Sequence, residues 1–211
     1  MFKRSLVAMF LTLFLFPTSL RAADLLVLGD SLSAGYGLSP GESWVDLMQN
    51  RIDSKGLDLR VVNASISGET SSGGLSRLPD LLETHAPNIV LLELGANDGL
   101  RGTPLKIIER NLDQMAAQIE DAGAQLVVIG IRLPPNYGPR YTEAFFDLFG
   151  SLAKQYRAVH VPFLLEGVAT DWSLMQPDGL HPTADAQPII LDTVWNDIES
   201  LLGIDEKKPI N

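Results

Sequence analysis

Asp24–Gly41, DLLVLGDSLSAGYGLSPG, is the stretch on which the fold turns. Its apolar run Leu25-Leu26-Val27-Leu28 stops at Gly29, and a serine follows two residues later. A short unbroken apolar run ended by a turn signal reads as a strand buried on both faces. Open parallel sheets bind their ligands beyond the carboxyl ends of the strands, which puts Ser31 where a nucleophile would act. Asp and Ser after a strand are equally ordinary turn and helix-capping residues. The tripeptide alone leaves both readings open.

Working outward, strand and helix patterns alternate. Trp44, Leu47, Met48, Arg51 and Ile52 keep helical spacing, led by Ser43 and closed by Gly56. Leu59–Asn63 reads as a short strand and Leu75–Thr84 as a helix with Pro79 near its first turn. Ile89-Val90-Leu91-Leu92-Glu93-Leu94 reads as another buried strand, stopped at Gly95. Leu105, Ile108, Leu112, Met115 and Ile119 form one helical stripe that ends before Gly123. Leu126–Ile131 predicts a fourth strand, Tyr141–Tyr156 a helix with Phe145, Phe146 and Phe149 toward the core, and Ala158–Phe163 a fifth strand. The last helix is expected near Ala184–Leu202, with Ile190, Val194, Asp197 and Leu201 on one face, and Asp205–Asn211 as a fraying tail. Such alternation implies an α/β protein with a parallel sheet, right-handed crossovers and helices on both faces.

The first residues carry a different signal. Lys3 and Arg4 precede an apolar run from Leu6 to Phe16, then small residues at Ala22-Ala23. That is the layout of a secretory signal peptide over residues 1–22, cleaved near Ala22/Ala23, and the run is short of the about 20 residues a membrane span needs. Residues 23–211 then form one domain. Losing Lys3, Arg4 and Arg21 takes the formal net charge from −10 to about −13, which disfavours nucleic acid and anionic membrane surfaces as partners. The chain has no cysteine, hence no disulfide, no thiol nucleophile and no lipidated cysteine as a stable membrane anchor.

Parallel strands bring the loops at their carboxyl ends to one rim. These loops carry Ser65–Thr70, Gly95–Gly99, Arg132–Gly138 and, after the fifth strand, Asp178-Gly179-Leu180-His181-Pro182. A serine needs a base to take its proton, and a histidine base needs a carboxylate to fix its tautomer. Asp178 lies three residues before His181 across a glycine, within reach of one ring nitrogen, which leaves the other for Ser31. Gly68 and Asn97 occupy two rim loops and offer the amide donors that an oxyanion needs, with the Ser31 N–H as a third. Read singly, each is also an ordinary turn residue.

Other patterns fail. Gly37–Gly41 matches Gly-x-Ser-x-Gly, but no strand precedes it and Pro40 has no N–H to offer an oxyanion. Gly35-Tyr36-Gly37 does not complete a dinucleotide fingerprint, and no histidine lies at ligand spacing from another, so neither a cofactor nor a metal is expected.

GDSLSAGYG, the Gly68 loop, GAND and DGLHP together resemble the SGNH hydrolases, or GDSL esterases, in order and spacing. NASISGETS, LELGANDGLRG, IRLPPNYGPRY and DGLHPTADAQP are similar to the exported bacterial thioesterase/protease/lysophospholipase and arylesterase branch, with Ala96 where a close relative has glycine. The resemblance implies a three-layer α/β/α, flavodoxin-like fold with a five-stranded parallel sheet. It implies Ser31 as nucleophile, His181 as base, Asp178 as its partner, and Ser31, Gly68 and Asn97 as oxyanion donors. The expected activity is hydrolysis of acyl, aryl and lysophospholipid-type esters or thioesters by an exported, periplasmic or secreted, enzyme. A carbohydrate O-acetylesterase and a non-catalytic lipid-binding protein are the alternatives. Ile66, Leu100, Leu133 and Leu180, apolar neighbours in the rim loops, are the candidate acyl-binding residues.

Overall fold

Uninterrupted apolar runs dictate a sheet covered on both sides. The computed structural model describes residues 23–203, and the expected leader (1–22) and fraying tail (Asp205–Asn211) lie outside the described residues. Five strands form, β1 (Ala23–Gly29), β2 (Leu59–Asn63), β3 (Ile89–Glu93), β4 (Gln125–Ile129) and β5 (Val159–Val161). They pair in parallel in the order β2-β1-β3-β4-β5. Neighbours along a strand point to opposite faces. Leu25, Val27, Ile89, Leu91 and Val127 therefore meet Trp44, Met48, Ile52, Ile190 and Val194 on one side. Leu26, Leu28, Val90, Leu92 and Val128 meet Leu78, Ile108, Met115, Phe145 and Phe149 on the other.

The covering helices are α2 (Trp44–Ser54) and α7 (Gln187–Ile198) on the first face, and α3 (Ser71–His85), α5 (Leu105–Asp121) and α6 (Pro139–Tyr156) on the second. Two short helices open at the rim, α1 (Ser31–Ala34) after β1 and α4 (Ala96–Leu100) after β3. The three-layer α/β/α expectation holds, with five parallel strands. Strand order reverses between β1 and β3, and their carboxyl ends frame the crevice where such sheets place ligands. Among the described residues no helix is long and apolar enough to cross a membrane.

Several element limits differ from the sequence pattern for identifiable reasons. Helix α3 starts at Ser71 rather than Leu75, so Pro79 falls in mid-helix instead of the first turn. Ser71, Gly73 and Gly74 are weak helix formers, yet Thr70 caps them by accepting from the Gly73 N–H, and Asp98 accepts from the Ser71 N–H at 2.7 Å. Tertiary partners extend the helix where propensity would not. In α7, Asp197 is exposed and the buried face is Ile190, Leu191, Val194, Trp195 and Ile198. Leu201 lies beyond it, in a 3-10 turn. Phe146 is only partly buried and carries the Arg132 guanidinium 3.5 Å from its ring centre.

The edge of the sheet nearest the rim is tightly closed. A Cβ on Gly130, just past β4, would lie 2.1 Å from the Pro162 carbonyl oxygen, a backbone atom that cannot swing aside. Gly130→Ala should therefore cost about 1–3 kcal/mol, as overpacking does, and lower the urea midpoint with an unchanged m-value. An unaltered midpoint would show that β4 and β5 separate freely at this point.

Candidate active site

Two backbone bonds close the hairpin that carries the histidine. Gln176 N–H donates to His181 O at 2.7 Å and Thr183 N–H to Leu174 O at 2.8 Å. Asp178 Oδ1 accepts from the N–H groups of Leu180 (2.9 Å) and His181 (3.0 Å), which curls the Asp-Gly-Leu-His turn on itself. The other oxygen, Oδ2, then lies 2.6 Å from His181 Nδ1. An ionised carboxylate can only accept, so Nδ1 carries the hydrogen and Nε2 is the acceptor. Nε2 lies 2.9 Å from Ser31 Oγ. Partial burial pushes the Asp178 carboxyl up, but the His181 ring and the two N–H groups together outweigh it and hold it down at about 2. Asp178 is thus a carboxylate throughout the neutral range.

Ser31 opens α1 with Asp30 as its cap, Asp30 Oδ1 accepting from the Leu32 N–H at 3.0 Å. Asp30 Oδ2 accepts from Asn97 Nδ2 at 3.0 Å, joining the loop after β1 to the loop after β3. Ser31, Asn97, Leu100, Leu133, Leu180 and His181 all line one cleft of about 140 Å³, together with Ala96, Ile131, Arg132, Pro134 and Leu165. Asp178 stands behind His181. Gly68 and Ile66 do not line the cleft. Ile66 donates its N–H to Gly29 O at 3.1 Å and leaves its side chain half exposed. Gly68 sits on the same loop with φ +82°, and its carbonyl accepts from Arg101 at 3.3 Å. Among the described residues neither the Ser31 nor the Gly68 N–H is taken up by a protein acceptor. The other histidines stay away from this cleft. His85 lies 3.9 Å from Asp24 at the amino end of β1, and His160 is in β5, its basicity lowered by burial.

A model of the GDSL-like lipase/acylhydrolase family matches residues 27–188, from inside β1 into α7. The chain belongs to this family. It is therefore a carboxylic ester hydrolase. Esterase TesA of Pseudomonas aeruginosa is 50% identical over 192 residues, covering 91% of this chain and 96% of the relative. Thioesterase 1/protease 1/lysophospholipase L1 of Escherichia coli is 45% identical over 205 residues, covering 97% of this chain and 96% of the relative. Among solved structures, the psychrotrophic esterase EstA from a Pseudoalteromonas species, inhibited by monoethylphosphonate, superposes with a TM-score of 0.81 at 44% identity. That superposition covers 85% of this chain and 98% of the esterase.

Four further residues of this acylhydrolase border the site and were given no role in it from the sequence. The Tyr36 ring packs 4.4 Å from the His181 ring, and Gln176 Nε2 donates to both Tyr36 O (2.8 Å) and Pro182 O (2.9 Å). Asp30 and Glu93 are buried carboxyls beneath the serine turn. Glu93 had a signal, as the one charge inside the run Ile89–Leu94. Burial raises both. Asp30 is pushed up to about 6 against the bonds from Leu32 and Asn97, and Glu93 is pushed well above the ordinary range, with the Asp30 charge adding to the rise.

A carboxyl raised in the folded state binds its proton more tightly there than in the unfolded chain. The stability this gives is complete below about pH 4 and is lost as pH rises through about 6. The wild type should therefore gain more unfolding free energy than Asp30→Asn when pH is lowered from 7 to 5. Equal pH responses in urea titrations would show that Asp30 is not held in its raised state.

Proposed function

We propose that this acylhydrolase is an exported serine esterase and thioesterase that works through an acyl-enzyme on Ser31. The observation that carries the reading is the continuous line Asp178 Oδ2–His181–Ser31 Oγ, at 2.6 and 2.9 Å. Ser31 Oγ attacks the substrate carbonyl carbon as His181 Nε2 takes its proton, and Asp178 stabilises the imidazolium without itself taking the proton. The tetrahedral oxyanion is met by the Ser31 N–H and by the Asn97 amide hydrogen that Asp30 does not occupy, and the Gly68 N–H, on the loop beside the cleft, is the proposed third donor. His181 then protonates the leaving alkoxide, phenoxide or thiolate. Water enters, gives a proton to His181, and attacks the acyl carbonyl. Collapse of that intermediate releases the acid and returns the proton to Ser31.

Medium-length or longer acyl chains fit this site better than acetyl groups. Leu100, Leu133 and Leu180 make one side of the cleft apolar, and a second trough of about 370 Å³ shares Arg132, Leu133, Pro134, Leu165 and Leu180 with it. The trough continues past Phe163, Ala169 and Met175 to the exposed Trp172. Aryl and lysophospholipid-type esters suit that shape, and the lysophospholipase name of the Escherichia coli relative supports the second of them. The leader read in residues 1–22 supports substrates met outside the cytoplasm.

Ser31→Ala should lower kcat at least about 1,000-fold, as loss of a triad member does, and Asn97→Ala about 100- to 1,000-fold with little change in KM. Unaltered folding by circular dichroism would accompany both. A Ser31→Ala enzyme that kept more than a hundredth of wild-type turnover would remove Ser31 as nucleophile. Across nitrophenyl esters from acetate to dodecanoate, kcat/KM should rise about fourfold per buried methylene, since each is worth about 0.8 kcal/mol, and then level off. A steep fall after acetate would favour the carbohydrate O-acetylesterase instead.

A further inference from the structure

Strand pairing sets Gly29 opposite Glu93. The Glu93 side chain is fully buried, and Oε2 fills the space over Gly29, where an added Cβ would lie 2.6 Å away. That oxygen accepts two hydrogen bonds. One comes from the Asp30 N–H at 3.2 Å, the other from Ser33 Oγ at 2.6 Å. The donors bracket Ser31, one residue before it and two after.

We propose that Glu93 is a positioning residue for the Ser31 turn: its buried carboxyl clamps the Asp30 N–H and the Ser33 hydroxyl together, and so aims Ser31 Oγ at His181. The proposal rests on the reading of Ser31 as nucleophile. An apolar side chain would fill this volume more cheaply, because burying a polar group carries a desolvation cost, but it could not accept from either donor. The clamp works through the two hydrogen bonds and not through a charge. Desolvation and the neighbouring Asp30 carboxylate both favour the neutral acid at Glu93. Both donors reach Oε2, and no protein donor reaches Oε1 among the described residues. Asp30, bonded to Asn97 and to the Leu32 N–H, is left to hold the negative charge.

This assigns distinct consequences to substitutions that a purely structural role would treat alike. In Glu93→Gln the amide oxygen takes the place of Oε2 and the NH2 that of Oε1, so both clamping bonds survive. Glu93→Leu keeps the bulk and removes the acceptor. Misplacing a reacting group by about 1 Å costs on the order of 100-fold, so Glu93→Leu should lower kcat about 10- to 100-fold with KM within about twofold. Ser33→Ala removes one of the two clamped donors and should lower kcat at least about fivefold, again with KM unchanged. Glu93→Gln should keep at least about half of wild-type kcat.

The test is steady-state kinetics on a nitrophenyl ester for the full chain and these three variants, with Ser31→Ala in the same assay. Loss in Glu93→Leu and Ser33→Ala confined to kcat, with rescue in Glu93→Gln, supports the clamp. If Glu93→Leu fails to fold, Ser33→Ala and Glu93→Gln decide. Wild-type kcat in Ser33→Ala, or loss in Glu93→Gln as large as in Ser33→Ala, overturns it. With Ser31→Ala inactive, such a result removes only the clamp. An active Ser31→Ala would remove the nucleophile and the clamp together.

Discussion

The rim of this molecule depends on the parallel pairing of β1 with β3 (Leu25 with Ile89 through Gly29 with Glu93). That register brings two chain reversals side by side where the strand order changes direction. One reversal presents Ser31 and the other Asn97, and Asp30 Oδ2 ties them together through the Asn97 amide. A shift by one residue would turn every side chain of the strand to the opposite face. It would also place a Cβ where Glu93 Oε2 now sits. Two apolar faces, both buried, hold the register against such a slip.

His181 comes to the same place from 150 residues further along the chain, and a buried polar path joins its hairpin to the serine side. Trp44 Nε1 donates to Leu32 O (3.2 Å), Trp44 N–H donates to Gln187 Oε1 (3.0 Å), and Gln187 Nε2 donates to Thr183 O (3.0 Å). Gln187 and Trp44 are buried, and each of these polar groups is satisfied. An unsatisfied buried group costs about 1–3 kcal/mol, so α1, the start of α2 and the histidine hairpin hold one another in a single geometry. Such preorganisation lets a hydroxyl and an imidazole meet without reorganisation during the reaction.

Much of this was legible in the sequence. The five strands, α2, α5 and α6 follow from unbroken apolar runs and helical stripes, signals that depend on local sequence alone. The start of α3 was not legible, because Ser71, Gly73 and Gly74 become helical through Thr70 and through Asp98, which is remote in sequence. The short rim helices α1 and α4 span four and five residues, too few for a periodic pattern. At the site, Ser31, Asp178, His181 and Asn97 were readable from motifs and are brought together. Three of the four apolar candidates line the cleft, and Ile66 is turned out of it by the bond from its N–H to Gly29 O. Glu93, Gln176 and Tyr36 meet partners on other elements, which spacing along the chain does not encode.

The proposed carrier of the acyl group is one serine hydroxyl, aimed by the turn after β1. Mass spectrometry of the protein after reaction with a nitrophenyl phosphonate ester tests it directly. One phosphonyl group per chain is expected, with nitrophenolate released in equal amount and the added mass on the peptide that contains Ser31. An adduct on another residue, or no adduct from an enzyme that still hydrolyses nitrophenyl esters, would contradict it.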